Sequence, residues 1–248
     1  MGAAIGSVLR QRGTDVLWAS NGRSDETKAR AERAGLRDAG GVRELAGVSD
    51  VILSVCPLHA AVEVAASVGS FDGLYVDANA VSPATARRIC STLQHFVDGG
   101  IVGGPPTPEN GPRLYLSGAD SSRVAALFEG TSVDARVLSE RAGEASALKM
   151  VYAAWTKGTA ALLLAIRETA RAEQVEEALL AEWSESLPKL EARLESAARS
   201  AERKGWRWIA EMEEIAATFA AAGQPAGFHR AAADVFRRSG KEGNIRSL

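Results

Sequence analysis

Met1-Gly2-Ala3-Ala4-Ile5-Gly6 opens an apolar, helix-like stretch that closes at Arg12-Gly13, and a short run, Asp15-Val16-Leu17-Trp18-Ala19, follows. The polar loop Asn21-Gly22-Arg23-Ser24 comes next. A glycine-led helix, then a strand, then an Arg-Ser loop is the order found after the first strand of a dinucleotide-binding βαβ unit. In that frame Gly2 is the third glycine of a G-x-G-x-x-G turn, the one that lets helix and sheet pack closely. The first strand and the first two glycines are not represented ahead of Met1. Two expectations follow. Met1 is the internal methionine of the motif, with the start assigned too late, or the product is short and binds cofactor poorly. The intact downstream motifs favour the first, and in-frame translation of the DNA upstream of Met1 separates the two.

The rest of the chain supports an α/β fold. Val51-Ile52-Leu53-Ser54-Val55 is a compact apolar run stopped by Cys56-Pro57, the pattern of a parallel strand buried on both faces. Leu74 to Asp77, Phe96 to Asp98 with Ile101-Val102, Arg113 to Gly118 and Ala135 to Leu138 read as further strands. Helical patterns lie between them, at 24–34, 41–47, 58–69, 82–94 and 120–129. This alternation predicts a Rossmann-like, doubly wound parallel sheet lacking its first strand, with a cofactor lying along the edge where the strands end.

Near residue 140 the composition changes. From Gly143 to about Phe236 Ala, Leu and Glu dominate, and Pro188, Gly205 and Gly223-Gln224-Pro225 divide the stretch into four or so helices. The domains expected are therefore 1–140, dinucleotide-binding, and 141–248, an all-α substrate and dimerisation domain. The tail from Ser239 to Leu248 reads as polar and loose.

Composition narrows the function classes. Over 248 residues, 46% are hydrophobic and 24% charged, and the net charge is −2, so no broad basic field exists to collect nucleic-acid phosphates. Cys56 and Cys90 have no C-x-x-C spacing, and His59, His95 and His229 are scattered. These residues predict thiols in a reducing compartment and no metal site. No apolar run is long enough to span a membrane and no signal-peptide pattern is present, which predicts a cytoplasmic protein.

Several loops carry candidate chemistry, each with a plainer reading beside it. Asn21, Arg23 and Ser24 have no acid among them to grip a ribose 2′-hydroxyl. Arg23 suits a 2′-phosphate, and Ser24 opens a helix whose first amides attract anions, so NADP is expected over NAD; an ordinary turn with a surface arginine is the alternative. Val55-Cys56-Pro57 is placed to run beside a cofactor's ribose and nicotinamide, or proline simply stops a strand. Asn79 is a candidate for ribose or substrate, or caps a turn. The two glycine pairs between Asp98 and Pro106 allow close backbone approach, or form a structural turn. Lys149 lies in an apolar helical setting, where lost hydration lowers an amine's pKa and suits it to proton exchange; a snorkelling surface lysine is the alternative.

Taken together these segments resemble the β-hydroxyacid dehydrogenase superfamily, which includes 3-hydroxyisobutyrate and 6-phosphogluconate dehydrogenases, over nearly the whole chain. Met1-Gly2 is similar to the end of its G-x-G-x-M-G turn, Asn21 to Ser24 to its cofactor-selecting loop, and Asp98 to Gly104 to its D-x-P-V-S-G-G substrate loop. Lys149 falls on the lysine of its G-x-x-x-x-x-K-x-x-N helix. The patterns Lys149 to Ala154 and Gly227 to Ala232 resemble the phosphogluconate-dehydrogenase-like branch with an uncharacterised helical C-terminal domain. The resemblance implies an NADP-dependent oxidoreductase moving a hydride between nicotinamide and a small hydroxy acid or alcohol, with Lys149 as acid/base and a homodimer as the assembly. It implies substrate contacts at Val102, Gly103, Gly104 and Tyr152. Two departures bear on substrate: Val102 replaces the family serine, and Tyr152 replaces the asparagine after the lysine. The retained lysine argues against the imine reductases. The reading of another class is a non-catalytic or impaired NADP-binding scaffold, which the incomplete fingerprint would produce.

Overall fold

The computed structural model describes residues 1–245, with side chains described up to Ser239. The chain divides into two units, Met1–Lys149 and Met150–Leu248. The division falls inside a helix, whereas the composition change alone suggests a boundary ahead of it, near residue 140.

In the first unit, α1 (Gly2–Gln11) buries Ile5, Gly6 and Leu9 along one stripe. It leads to β1 (Leu17–Trp18), α2 (Asp25–Arg33), β2 (Arg37–Asp38) and α3 (Val42–Ala46). β3 (Val51–Ser54) follows, then a 3-10 turn at Leu58–Ala60, α4 (Ala61–Ser67), β4 (Leu74–Asp77) and α5 (Pro83–Cys90). β5 (His95–Val102), β6 (Arg113–Ser117), α6 (Ser121–Leu127) and β7 (Asp134–Ser139) complete the set. Local chemistry sets the helix starts. Ser24 caps α2 by accepting the Thr27 N–H, with Asp25 and Glu26 in the first turn and Arg30 and Arg33 in the last. Ser82 caps α5 in the same way, with Pro83 at its first position.

β1 and β2 pair in parallel as a two-stranded sheet, and the other five strands form a second sheet in the order β3-β4-β5-β6-β7. Pairing is parallel except between β5 and β6, which are antiparallel. The sheet is therefore mixed rather than wholly parallel, and helices cover both faces. On one face Ile5 and Leu9 of α1 and Val124 of α6 pack with Phe128 against Leu74, Val76, Val97, Leu114 and Leu116. On the other, Ala61 and Ala65 of α4 and Ala86 and Ile89 of α5 pack against Ile52, Tyr75 and Phe96. Burial on both sides explains why β4 is buried at every residue.

Gly99 and Gly100, which separate the expected strand runs Phe96 to Asp98 and Ile101-Val102, are strand as well. β5 continues through Gly99 and Gly100 because β6 pairs with it as far as Val102↔Arg113. β2 was not expected, since two exposed charged residues carry no apolar signal.

The second unit is helical. α7 (Glu144–Ala172) enters it from the first, followed by α8 (Glu176–Ser186), α9 (Leu190–Ala221) and α10 (Gly227–Ile245). Leu163, Trp183 and Leu194 form one of its buried clusters. Trp208 and Phe236 meet edge-to-face at 5.1 Å between ring centroids. Gly205 does not break the chain as expected; it is a buried residue within α9. α10 continues through Ser239 to Ile245, so the start of the expected loose tail is helical, and 246–248 lie outside the described residues. Among the described residues no helix is long and apolar enough to cross a membrane.

Candidate functional site

Three of the parallel strands, β1, β3 and β4, end in loops of the first unit, and close contacts link the loop after β3 to the loop after β4 and to α1. At α1 no side chain caps the first turn and no acid lies in it, so its amides suit an anion. A Cβ placed on Gly2 would stand 3.5 Å from the Val55 side chain and carbonyl oxygen. The start of α1 therefore lies directly against the loop after β3. In the loop after β1, the N–H groups of Ser20 and Asn21 both donate to the Gly40 carbonyl, and Arg23 N–H closes a turn on Ser20. The Arg23 guanidinium is close enough to Cys56 to act on its thiol electrostatically, though burial dominates and pushes that thiol up. Lys28, not singled out in the sequence, lies one turn past Ser24 on the same helix face. It adds a second cation beside Arg23's loop.

Asn79 is buried at 4% exposure. Its Oδ1 accepts the Cys56 N–H at 2.7 Å, its Nδ2 donates to Ser54 Oγ at 3.0 Å, and its own N–H donates to Asp77 Oδ1 at 2.9 Å. Both ends of the side chain therefore bond within the protein, joining the loops after β3 and β4.

Strand register aligns a row of polar residues that the sequence reading missed. Ser54 pairs with Asp77, Asp77 with Asp98, and Asp98 with Ser117. Residues paired in this way share one face of the sheet, and all four are buried. Burial pushes Asp77 up to about 6, against the N–H bond from Asn79, and the Asp98 carboxylate adds to the rise. Burial also raises Asp98, opposed by donors from Ser146 and Ser117. One signal was legible: each of four successive strand-like runs carries a Ser or Asp at or next to its end.

Beyond that row, Gly100 lies under α7. A Cβ on it would stand 2.6 Å from the Ala145 carbonyl oxygen and 3.2 Å from Lys149 Cβ. Lys149, half-buried, is thereby fixed against β5 near the ends of the parallel strands. Val102 is 2% exposed, its side chain in the core at the end of β5. Gly103 and Gly104 are exposed in the loop beyond it. Tyr152 is 44% exposed and belongs to the helical unit. The structure thus gathers Gly2, Val55, Cys56 and Asn79 through direct neighbours, brings Arg23 within electrostatic reach of Cys56, and seats Lys149 on β5. It places Val102 away from any surface. Met1, Asn21 and Pro57 are exposed near the gathered residues in sequence.

Comparison with known proteins bears on this geometry. Residues 170–239 match a domain of unknown function, DUF1932. An uncharacterized 28.5 kDa protein in the 7S RNA 5′ region of Methanothermus fervidus is 32% identical over 155 residues, which span 61% of this chain and 60% of that protein. Among solved structures, the conserved protein MTH1747, of unknown function and described as structurally similar to 3-hydroxyacid dehydrogenases, is 27% identical with a TM-score of 0.71. That match covers 99% of this chain and 95% of its own. A 3-hydroxyisobutyrate dehydrogenase from Salmonella typhimurium shares the fold at 18% identity, with a TM-score of 0.66 over 96% and 90% of the two chains. So does a reductive aminase from Aspergillus terreus solved with NADPH and ethyl-5-oxohexanoate, at 19% identity and a TM-score of 0.58 over 98% and 90%.

Proposed function

We propose, for a chain that has the 3-hydroxyacid dehydrogenase fold with its sheet core and helical C-terminal region, that it is an NADP-dependent oxidoreductase acting on a small hydroxy acid or alcohol. The observation that carries this reading is the set of contacts at the ends of β3 and β4, Gly2 to Val55 and Cys56 to Asn79, with Arg23 near enough to act on Cys56 electrostatically and Lys149 on Gly100 of β5. Those residues fit a dinucleotide. Open amides at α1 suit the pyrophosphate, and Arg23 with Lys28 suits a 2′-phosphate. When bound, NADP(H) supplies the hydride chemistry. Lys149 takes or gives the proton of the substrate hydroxyl. The backbone at Gly103 and Gly104 and the Tyr152 hydroxyl are the proposed substrate contacts. Val102, with its side chain in the core, shapes that loop from beneath.

The test has two arms. Arg23→Ala is expected to weaken NADPH binding roughly tenfold or more while leaving NADH nearly unchanged, because a lost charge-assisted phosphate contact contributes about 1.5–3 kcal/mol. Equal effects on the two dinucleotides overturn the 2′-phosphate assignment. Lys149→Ala is expected to lower turnover about 10²–10⁴-fold across a panel of hydroxy acids and alcohols followed by NADPH absorbance. Turnover near that of the parent overturns the lysine's role.

A further inference from the structure

The first turn of α7 is capped by residues from other strands. Gly143 accepts the first helical bond, from Ala147 N–H, but has no side chain with which to cap the next amides. Instead, Ser117 Oγ at the end of β6 accepts the Ala145 N–H at 2.9 Å, and Asp98 Oδ2 on β5 accepts the Ser146 N–H at 2.8 Å. Asp98 Oδ1 also accepts the Ser146 hydroxyl at 2.5 Å, and Ser117 donates its own hydroxyl to Asp98 Oδ2 at 3.1 Å. Asp98 is 0% exposed, so its carboxyl is bonded by these donors and by the Gly143 N–H rather than by water.

Lys149 lies one helical turn beyond Ser146. Gly100, two residues beyond Asp98 on the same face of β5, leaves the space into which that turn settles. Anchor and space thus come from one strand, and both act on the turn that carries the lysine. We propose that Asp98 is the positioning residue for Lys149: its carboxylate, with Ser117, clamps the first turn of α7 onto β5 and so fixes where the ammonium group stands. The proposal rests on the reading of Lys149 as the proton-exchanging group, but its geometry is independent of that reading.

The experiment is amine acetylation of the full chain with acetic anhydride at one fixed pH, read by mass spectrometry. Lys149 is scored against Lys204, an exposed residue of α9 that serves as internal reference. In Asp98→Ala the Lys149/Lys204 ratio is expected to rise by roughly tenfold, as the turn opens and exposes the amine. Asp98→Asn keeps one acceptor oxygen and is expected to rescue part of the change. Ser117→Ala, which removes the Ala145 partner and one donor to Asp98 but leaves the Asp98–Ser146 bonds, gives a smaller rise and carries the test if Asp98→Ala does not fold. An unchanged ratio in folded Asp98→Asn and Ser117→Ala overturns the proposal. So does a rise shared equally by Lys28, Lys157 and Lys189, which marks general loosening. NADPH titration of the same samples separates the two readings. A Lys149-specific rise in a protein that does not bind NADPH sinks the proposed function and leaves the clamp standing. Normal NADPH binding with a flat ratio sinks the clamp alone.

Discussion

Asn79 holds Cys56. Its Oδ1 accepts the Cys56 N–H at 2.7 Å across 23 residues of sequence, while Nδ2 donates to Ser54 on the strand that ends just before. The carboxyl ends of β3 and β4 are thus fastened by one amide, and the loop that leaves β3 starts from a fixed point. Ribose contact and turn cap were both open for this residue in the sequence. In the structure both ends of its side chain are bonded within the protein, joining the two loops.

Asn79→Ala leaves the Cys56 N–H and the Ser54 hydroxyl without this partner in a half-buried place. The expected cost is about 1–3 kcal/mol of unfolding free energy, measured by urea denaturation, together with weaker NADPH binding. Asn79→Asp keeps the acceptor for Cys56 but loses the donor to Ser54 and sets a second carboxylate beside Asp77. It is expected to be no better than the alanine variant at neutral pH. Full stability in the alanine variant would show that the loop is held by other means.

The buried carboxyl of Asp77 makes stability depend on pH in a definite direction. Its folded-state pKa is pushed up to about 6 from an ordinary 3.8, chiefly by burial. Between those values the folded chain binds the proton more readily than the unfolded chain does. This group's contribution therefore falls as pH rises from about 4 to about 6 and is constant above. The drop is about 3 kcal/mol at most. Asp77→Asn removes the titration and retains an oxygen for the Asn79 N–H. The variant minus parent difference in stability is expected to grow across that window in the variant's favour and then level off. A difference flat from pH 4 to 7 would show that Asp77 ionises as it does in water.

The strands β3, β4 and β5 were legible because each is a short apolar run between turn residues, and the helices between them because their apolar spacing changes to that of a helix. Arg23, Cys56 and Lys149 were legible only as residue types suited to a phosphate, a strand-end loop and proton exchange. The row Ser54, Asp77, Asp98 and Ser117 was not, since it exists only once register is known. Nor was the fate of Gly205, where packing within α9 outweighs a helix-interior cost of about 1 kcal/mol. Val102 shows the same limit. The sequence records that the residue is not serine, but only the fold shows that its side chain faces the core.

Gly100 admits no side chain without displacing α7, because the nearest atom to an added Cβ is the Ala145 carbonyl oxygen of the backbone at 2.6 Å. Gly100→Ala is expected to cost about 1–3 kcal/mol. It should also speed exchange of the Ser146 amide hydrogen, since lifting the turn breaks that donor's bond to Asp98. Hydrogen exchange followed by mass spectrometry reads this directly. A stable variant with unchanged Ser146 exchange would show that the turn tolerates a shift without losing its clamp.

In the helical unit, Lys157 of α7 donates from Nζ to Glu211 Oε1 of α9, 54 residues away, with side chains only 13% and 10% exposed. Removing one partner strands a charge where water reaches poorly. Glu211→Ala and Lys157→Ala are each expected to cost about 3 kcal/mol or more. The double replacement Lys157→Met with Glu211→Leu removes both charges and fills the space with apolar atoms, so it is expected to be more stable than either single variant. Chemical denaturation of the three variants and the parent closes the cycle. If the single variants lose less than about 1 kcal/mol, the pair is screened like a surface ion pair, and α7 and α9 are held together by their apolar faces alone.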